Sequence, residues 1–473
     1  MSSLHDHAPP RYISTTVLGL CAAAFGIALW LAPGAPAPAA APQAAPWHDV
    51  TPGPGLAGWR VTGGKAAYTA ANGEVVGRAV PGKGNSWLVS DALFGDFILE
   101  YDAKTDPALN SGMMIRGQSR PDYRNGVVFG YQAEIDPSPR AWSAGLYDEQ
   151  RRNWLYSLGN NETARRAFRS GDWNHYRVEA IGNRLRTWIN GVPAADIADD
   201  TDARGFIAMQ VHALPDAEAA RGPEVHFRKI RVITDSPARY ALPATGLEQQ
   251  GWLTNRLSDG ERRTGWKLIW DGKTGTGWRT AHGSGFPARG WSIGDGVLSV
   301  EGNGGGDLLT AKSYRNFELS VDFRLTPGAN SGIKYLIDPK LSKDSNVGLE
   351  YQLLDDDRHP DAKLGRDGDR TLAGLYDLIA PRNLLDPANP GKRINAVGEW
   401  NRAVIVVRGR HVEHWLNGFK LVEYDRGSPE FRKLVAMSKF ASIPGFGDSD
   451  QGPILLQDHG NKVDFRSIKL REF

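Results

Sequence analysis

The chain is nearly without cysteine. Its 473 residues include one, Cys21, inside an N-terminal apolar run. Disulfides, thiol nucleophiles and Cys-ligated metals are therefore excluded from everything that follows it. An excess of one charge is missing too. Lys and Arg number 56 against 54 Asp and Glu, a formal balance of +2. With no concentrated basic patch, a nucleic-acid binder is not expected. Long amphipathic helical periods are absent. So are His-x-x-x-His, HEXXH-like and EF-hand spacings.

Aromatic residues, by contrast, are plentiful. They make up 10% of the chain, and 15 are Trp. Flat rings of this kind pack on the apolar faces of pyranoses, while the alternative is a set of large core residues. The run from Ile13 to Leu31 holds 19 residues without a charge, at the lower edge of what spans a bilayer. The Ala/Pro-rich stretch after it contains Ala-x-Ala sites such as Ala37-Pro38-Ala39. A cleaved signal peptide and an uncleaved anchor with a stiff spacer both fit. Cys21 follows Leu20 rather than a small residue, which argues against lipidation. Each reading exports the chain, to the periplasm or beyond, with or without attachment to the inner membrane.

Length favours two domains, and internal repetition says where they lie. "GDFILEYDAKTDPALNSGMMIRG" (95–117) lines up with "RNFELSVDFRLTPGANSGIKYLI" (315–337). Tyr131-Gln132 meets Tyr351-Gln352, and "AGLYD" occurs at 144–148 and 373–377. "GDWNHYRVEAIGNRLRTWINGVPAAD" meets "GEWNRAVIVVRGRHVEHWLNGFKLVE". "GFIAMQVHA" meets "GPILLQDHG". The order is the same throughout, as a tandem duplication requires. "FELSVDFRL", "NRAVIVVRG" and "HVEHWLNG" alternate apolar and polar residues with the period of a strand. Asn190-Gly191 and Asn417-Gly418 are tight-hairpin dipeptides. An all-β pair of sandwiches or jelly rolls is predicted. The first repeat covers 46–235 and the second 261–473. A linker at 236–260 joins them, and residues 1–45 precede as apolar helix and spacer.

Polar residues where the pattern wants apolar ones mark candidate chemistry. In the second repeat these are Lys334, Glu350 and Gln352 on strands, Asp355, Asp356, Asp357 and His359 in the following loop, and His414 beside Trp415. Lys439 lies in a Gly/Pro-containing loop. Gln457, Asp458 and His459 end an apolar run. Imidazole and carboxylate move protons near neutral pH, and an ammonium stabilises negative charge on oxygen. On this alignment the first repeat has Gly130 at Glu350, Thr187 at His414 and Val211 at Asp458, while Gln210 and His212 match Gln457 and His459. The second repeat is thus the better catalytic candidate. No cofactor is expected. Asp355 to Asp357 are a weaker candidate for a divalent metal such as Ca²⁺, which takes hard oxygen ligands.

With "GLEYQLLDDDRHPDAK", "TLAGLYDLI", "SKF" and "GPILLQDHGNKVDFRSIKLREF" added to the strands above, the second half resembles the 3-keto-disaccharide hydrolase domain family over nearly its whole length. The first half resembles it more loosely. The resemblance implies a concanavalin-like jelly roll, export, and action on carbohydrates oxidised at C3. For such a substrate the expected base is His459 or Glu350, with Lys439 stabilising the enolate. His359 or Asp356 would assist the leaving group, and Asp458 would orient the imidazole. Lys334, Gln352, Tyr376, His414 and Gln457 complete the expected substrate contacts. The rival readings are a glycan-binding jelly roll without catalysis and an ordinary glycosidase.

Overall fold

The alternation read in the sequence sorts side chains into two layers. In Phe317–Leu325, Phe317, Leu319, Val321 and Phe323 are fully buried in the core. Glu318, Ser320, Asp322 and Arg324 stand on the opposite face. The computed structural model describes residues 45–338, 340–341 and 346–473. The predicted apolar run, its spacer and Cys21 lie outside the described residues. Among those described, no helix is long and apolar enough to cross a membrane. Residues 45–473 form one compact unit.

Each repeat is a two-sheet sandwich, antiparallel except for one short edge strand of the first. The first pairs a nine-stranded sheet with a seven-stranded one, and the second an eight-stranded sheet with a five-stranded one. The five-stranded sheet runs, in spatial order, Trp278–Thr280, Leu308–Tyr314, Gly452–Leu456, Asn330–Tyr335 and Leu349–Leu354. The hairpin dipeptides behave as read. Asn190 and Gly191 have φ of 48° and 80°, and Asn417 and Gly418 of 49° and 82°. Positive φ at both central residues is what a two-residue hairpin turn with the strand's own twist requires.

The linker is ordered and ties the repeats together. Gln250–Gly251 adds in parallel to the first repeat's strand Val192–Ala198. The Gly251 carbonyl accepts from Arg402 (2.8 Å) and Lys469 (2.7 Å) of the second repeat. Ser258 and Glu261 cap the helix Asp259–Arg263 reciprocally, and the buried Glu261 carboxylate pairs with Lys469. Trp142 of the first repeat packs 5.4 Å from Phe419 of the second.

Tryptophan serves mainly this framework. Trp87, Trp142, Trp154, Trp188, Trp266, Trp270, Trp278 and Trp291 are buried. Of the more exposed ones, Trp173 and Trp252 each carry an Arg guanidinium at 3.8 Å, and Trp47 one at 4.4 Å. These rings are occupied on one face, as cation–π partners rather than bare sugar platforms.

Candidate active site

Strands Asn330–Tyr335 and Leu349–Leu354 pair with Lys334 opposite Glu350 and Gly332 opposite Gln352. Leu349, Tyr351 and Leu353 enter the core. Glu350 and Gln352 therefore stand on the outer face, where polar residues in a strand end up when the alternate set is apolar. The glycine of Asn330-Ser331-Gly332 has a job here. A Cβ at Gly332 would overlap the Glu350 carboxylate oxygen and sit 3.0 Å from Cδ. The glycine thus lets the Glu350 side chain lie flat across the neighbouring strand.

Glu350 is 8% exposed. Burial raises its pKa above the ordinary carboxyl value. Lys334, with Nζ at 3.8 Å, and Lys439 pull it back, Asp307 pushes it up, and His459 pulls it back. Glu350, Lys334, Lys439, Asp307 and His459 thus converge on one place. Lys439 follows the helix Pro429–Ala436, and its backbone N–H donates to Asp377 (2.7 Å). Its ammonium lies 4.2 Å from the Tyr376 ring centroid. Desolvation there lowers its pKa, and Glu350 works in the opposite direction. The Tyr376 hydroxyl donates to Asp361 (2.9 Å), and Arg370 braces Asp361 (3.1 Å) and Asp377 (2.6 Å). A buried acid with a raised pKa beside two ammonium groups can take a proton from carbon while the cations stabilise the resulting oxyanion.

Other predicted residues have different roles. His459 is exposed at the rim. Its neighbour Asp458 does not orient it. The Asp458 carboxylate accepts instead from the Gly306 N–H (3.1 Å) and Gly460 N–H (3.0 Å), as a turn staple. Gln457 and Gln352 lie on the floor with their Oε1 atoms unpartnered. The His359 ring accepts from the Asp361 N–H (3.2 Å), capping a short turn. Asp356 is held by Lys392 and by the Leu372 N–H (2.8 Å), so it is a loop anchor. His414 is no substrate contact. It is fully buried, bonded to the Tyr335 hydroxyl (2.7 Å) and the Ala373 carbonyl (3.2 Å), and burial drives its pKa down to about 4. Asp307, Asp361 and Arg370 were missed. Asp307 follows a glycine run before a strand, as Asn85 does in the first repeat, and the duplication could have flagged it.

Two of the acidic loop's three carboxylates, Asp355 and Asp356, are already engaged. Asp355 accepts from the Gly328 N–H (2.8 Å), the Asp357 N–H (3.2 Å) and Arg358 (3.1 Å), so donors already fill its oxygens. Among the described residues, His411, Glu413 and Glu423 bring three ligand atoms within 4.8 Å. The Lys420 ammonium lies 3.4 Å from Glu413 and 2.8 Å from Glu423, occupying the place an ion would take. A cleft of about 500 Å³ between the repeats, lined by Trp252, Trp266, Trp415 and Arg402 among others, contains none of the predicted site residues.

The register also corrects the match between the repeats. Glu134 N–H donates to the Gly145 carbonyl and Ala144 N–H to the Glu134 carbonyl (3.0 and 2.8 Å). Gln352 does the same with Gly374 and Ala373 (3.2 and 2.8 Å). Gly112 faces Glu134 as Gly332 faces Gln352. The counterpart of Glu350 is therefore Gln132, not Gly130, and that of Gln352 is Glu134. The shared Tyr-Gln dipeptide misplaces the strand by two residues. Thr187 remains the counterpart of His414, and its hydroxyl bonds to the Ala144 carbonyl (2.5 Å) as His414 bonds to that of Ala373.

Fold and site together define a carbohydrate-active hydrolase on a jelly-roll scaffold. The 3-keto-alpha-glucoside-1,2-lyase-like domain matches residues 46–233 and again 265–471, and the chain belongs to this family, carrying its domain twice. A 3-keto-disaccharide hydrolase of Bacteroides thetaiotaomicron is 37% identical over 235 residues, 44% of this chain and 78% of the relative. Two crystal structures of glycosyl hydrolase candidates from Parabacteroides distasonis are also similar. One is 32% identical, covers 47% of this chain and all of its own (100%), with a TM-score of 0.41. The other is 26% identical, covers 44% and 99%, with a TM-score of 0.34.

Proposed function

We propose that the second repeat hydrolyses 3-keto-glycosides, 3-keto-disaccharides among them, by elimination followed by hydration. The observation that carries this reading is Glu350, a buried carboxyl with a raised pKa, 3.8 Å from Lys334 and electrostatically linked to Lys439. A C3 ketone acidifies the hydrogen on C2. Glu350 takes that proton, and Lys439 with Lys334 stabilises the enolate oxygen. The enolate collapses to a C1–C2 double bond, breaking the bond from C1 to the leaving oxygen. That oxygen takes a proton from His459 at the rim. Water then adds its hydroxyl to C1 while its other proton goes back to His459, and Glu350 returns the proton to C2, completing hydrolysis. This route needs one base and a cation, not the two carboxyls at fixed separation of an ordinary glycosidase. Family membership and the name of the Bacteroides relative support the substrate class.

The apolar run Ile13–Leu31 with its Ala/Pro spacer supports a periplasmic or secreted location. Mass spectrometry of the mature N-terminus in fractionated cells tests it. Activity is tested by incubating the chain with a 3-keto-glucoside and with its unoxidised parent. Release of sugar from the keto form alone is expected. Binding without turnover of either sinks the reading.

A further inference from the structure

We propose that the outer face of the first repeat's seven-stranded sheet is a second saccharide-binding site, floored by Gln132, Glu134 and Gln210. It stands apart from the Glu350 site and does not depend on the catalytic reading.

The floor copies the second repeat's plan with its groups exchanged. Gln132 holds the place of Glu350, and Glu134 the place of Gln352. The glycine device is retained. A Cβ at Gly112 would strike the Gln132 amide, as one at Gly332 would strike the Glu350 carboxyl. The first repeat therefore keeps a glycine whose role is to let an outward polar side chain lie across the sheet.

Two atoms on this floor lack partners. Gln132 Oε1 and Gln210 Nε2 are buried without a hydrogen bond, on side chains 1% and 0% exposed. Leaving such groups unmade is costly, yet the second repeat also leaves two floor atoms unpartnered, Oε1 of Gln352 and of Gln457. One open acceptor and one open donor, side by side, match neighbouring hydroxyls on a sugar ring. Gln132 Nε2 reaches Glu134 (3.1 Å) and Gln210 Oε1 (3.4 Å), so the three groups share one patch. Burial, with Asp136 adding to it, pushes the Glu134 pKa up to about 8. Near neutral pH this carboxyl is protonated and both donates and accepts.

The charge pattern selects against other ligands. Glu149 lies near enough to raise the Glu134 pKa further, and carboxyls repel an anion. A protonated acid is a poor cation ligand. The counterpart of Lys334 is Met114, which pairs with Gln132 as Lys334 pairs with Glu350. Among the described residues, no ammonium or guanidinium makes a salt bridge with Glu134; Arg140 acts on it only through space and is held by Asp136 (2.8 Å). Without that cation an enolate is not stabilised, so the site binds rather than cleaves. The second repeat reaches its edge. The Tyr147 hydroxyl donates to Asn153 (2.8 Å), and Asn153 donates to Asn395.

The test is calorimetric titration of the full chain, carrying Glu350→Gln to stop turnover, with a glucose disaccharide and its 3-keto form. One equivalent of sugar is expected to weaken at least about tenfold on adding Gln132→Met or Glu134→Met, the worth of one lost hydrogen bond in a buried site. Should Gln132→Met fail to fold, Glu134→Met keeps the side chain's length, removes its donor and acceptor, and reads the same loss. No binding, or binding indifferent to both substitutions, overturns the proposal. A chain that binds here yet turns over nothing with Glu350 intact refutes the catalytic reading and leaves this one standing.

Discussion

Gly332→Ala is expected to spare the fold and cripple turnover. Gly332 has no positive φ, so the backbone accepts alanine without strain. The new methyl meets a single obstacle, the Glu350 side chain, overlapping its Oε1 and lying 3.0 Å from Cδ and 3.1 Å from Cγ. No backbone atom is among these three nearest neighbours. The far end of a glutamate yields cheaply, so the structure relieves the overlap by swinging the carboxyl aside by about 1 Å. A displacement of that size in a reacting group costs on the order of 100-fold in rate. The stability change stays within about 1 kcal/mol, because loss of glycine's freedom in the unfolded chain offsets the crowding. The assay is kcat/KM on a 3-keto-glucoside beside Tm for the same preparation. Full activity with a normal Tm would falsify the placement of Glu350 in the chemistry. Unfolding would instead show that Gly332 serves packing.

Lys439→Met removes an ammonium that rests on the Tyr376 and Phe440 rings and keeps the apolar stem, so kcat/KM drops about 10²- to 10³-fold with Tm little moved, as for loss of one oxyanion donor; a change below about threefold refutes its role. His414→Thr installs the first repeat's own solution and forfeits the bond to Tyr335, so denaturation shows a loss of about 1–3 kcal/mol while turnover holds within a few-fold. Asp458→Val frees the Gly306 and Gly460 N–H groups and costs about 1 kcal/mol; a thousandfold fall in kcat/KM would return Asp458 to the chemistry. Burial pushes the Glu134 pKa up to about 8 from an ordinary carboxyl value of 4.5. The fold therefore favours its protonated form, and stability falls as pH rises from about 4.5 to 8. Denaturant melts across that window should flatten in Glu134→Gln, and an unchanged slope refutes the assignment.

The strands and the duplication were legible because both rest on local pattern. Alternation in "FELSVDFRL" is fixed by which face must meet the core, and Phe317–Leu325 is the strand that results. Glu350 and Lys334 were legible for the same reason, as polar residues that the core would not accept. His414 was misread although its parity was available. It shares a face with Val412 and Leu416, both fully buried, and so points inward. The roles of Asp356, Asp458 and His359 were beyond reach. Each depends on a backbone N–H or side chain brought up by a loop, such as Gly306 to Asp458, and no spacing rule encodes that meeting. Asp361 and Arg370 were lost in a loop whose first three acids drew attention away from the fourth.

The two-residue slip between the repeats follows from strand geometry. Side chains alternate with a period of two, so a shift by two leaves every residue on its original face. Apolar pattern alone cannot detect it; backbone partners such as Ala144 with Glu134 and Ala373 with Gln352 can. The same geometry explains how the copies diverged. Exchanging Glu and Gln between Gln132–Glu134 and Glu350–Gln352 moves the acid along the outer face without touching the core. In the second repeat the acid lies opposite Lys334, over Gly332, and gains cations. In the first it lies opposite Gly112, beside Asn110 at 2.5 Å, and gains neutral donors. One exchange of neighbours on one face thus separates a carboxyl set among ammonium groups, fit to move a proton, from one set among amides, fit to hold hydroxyls.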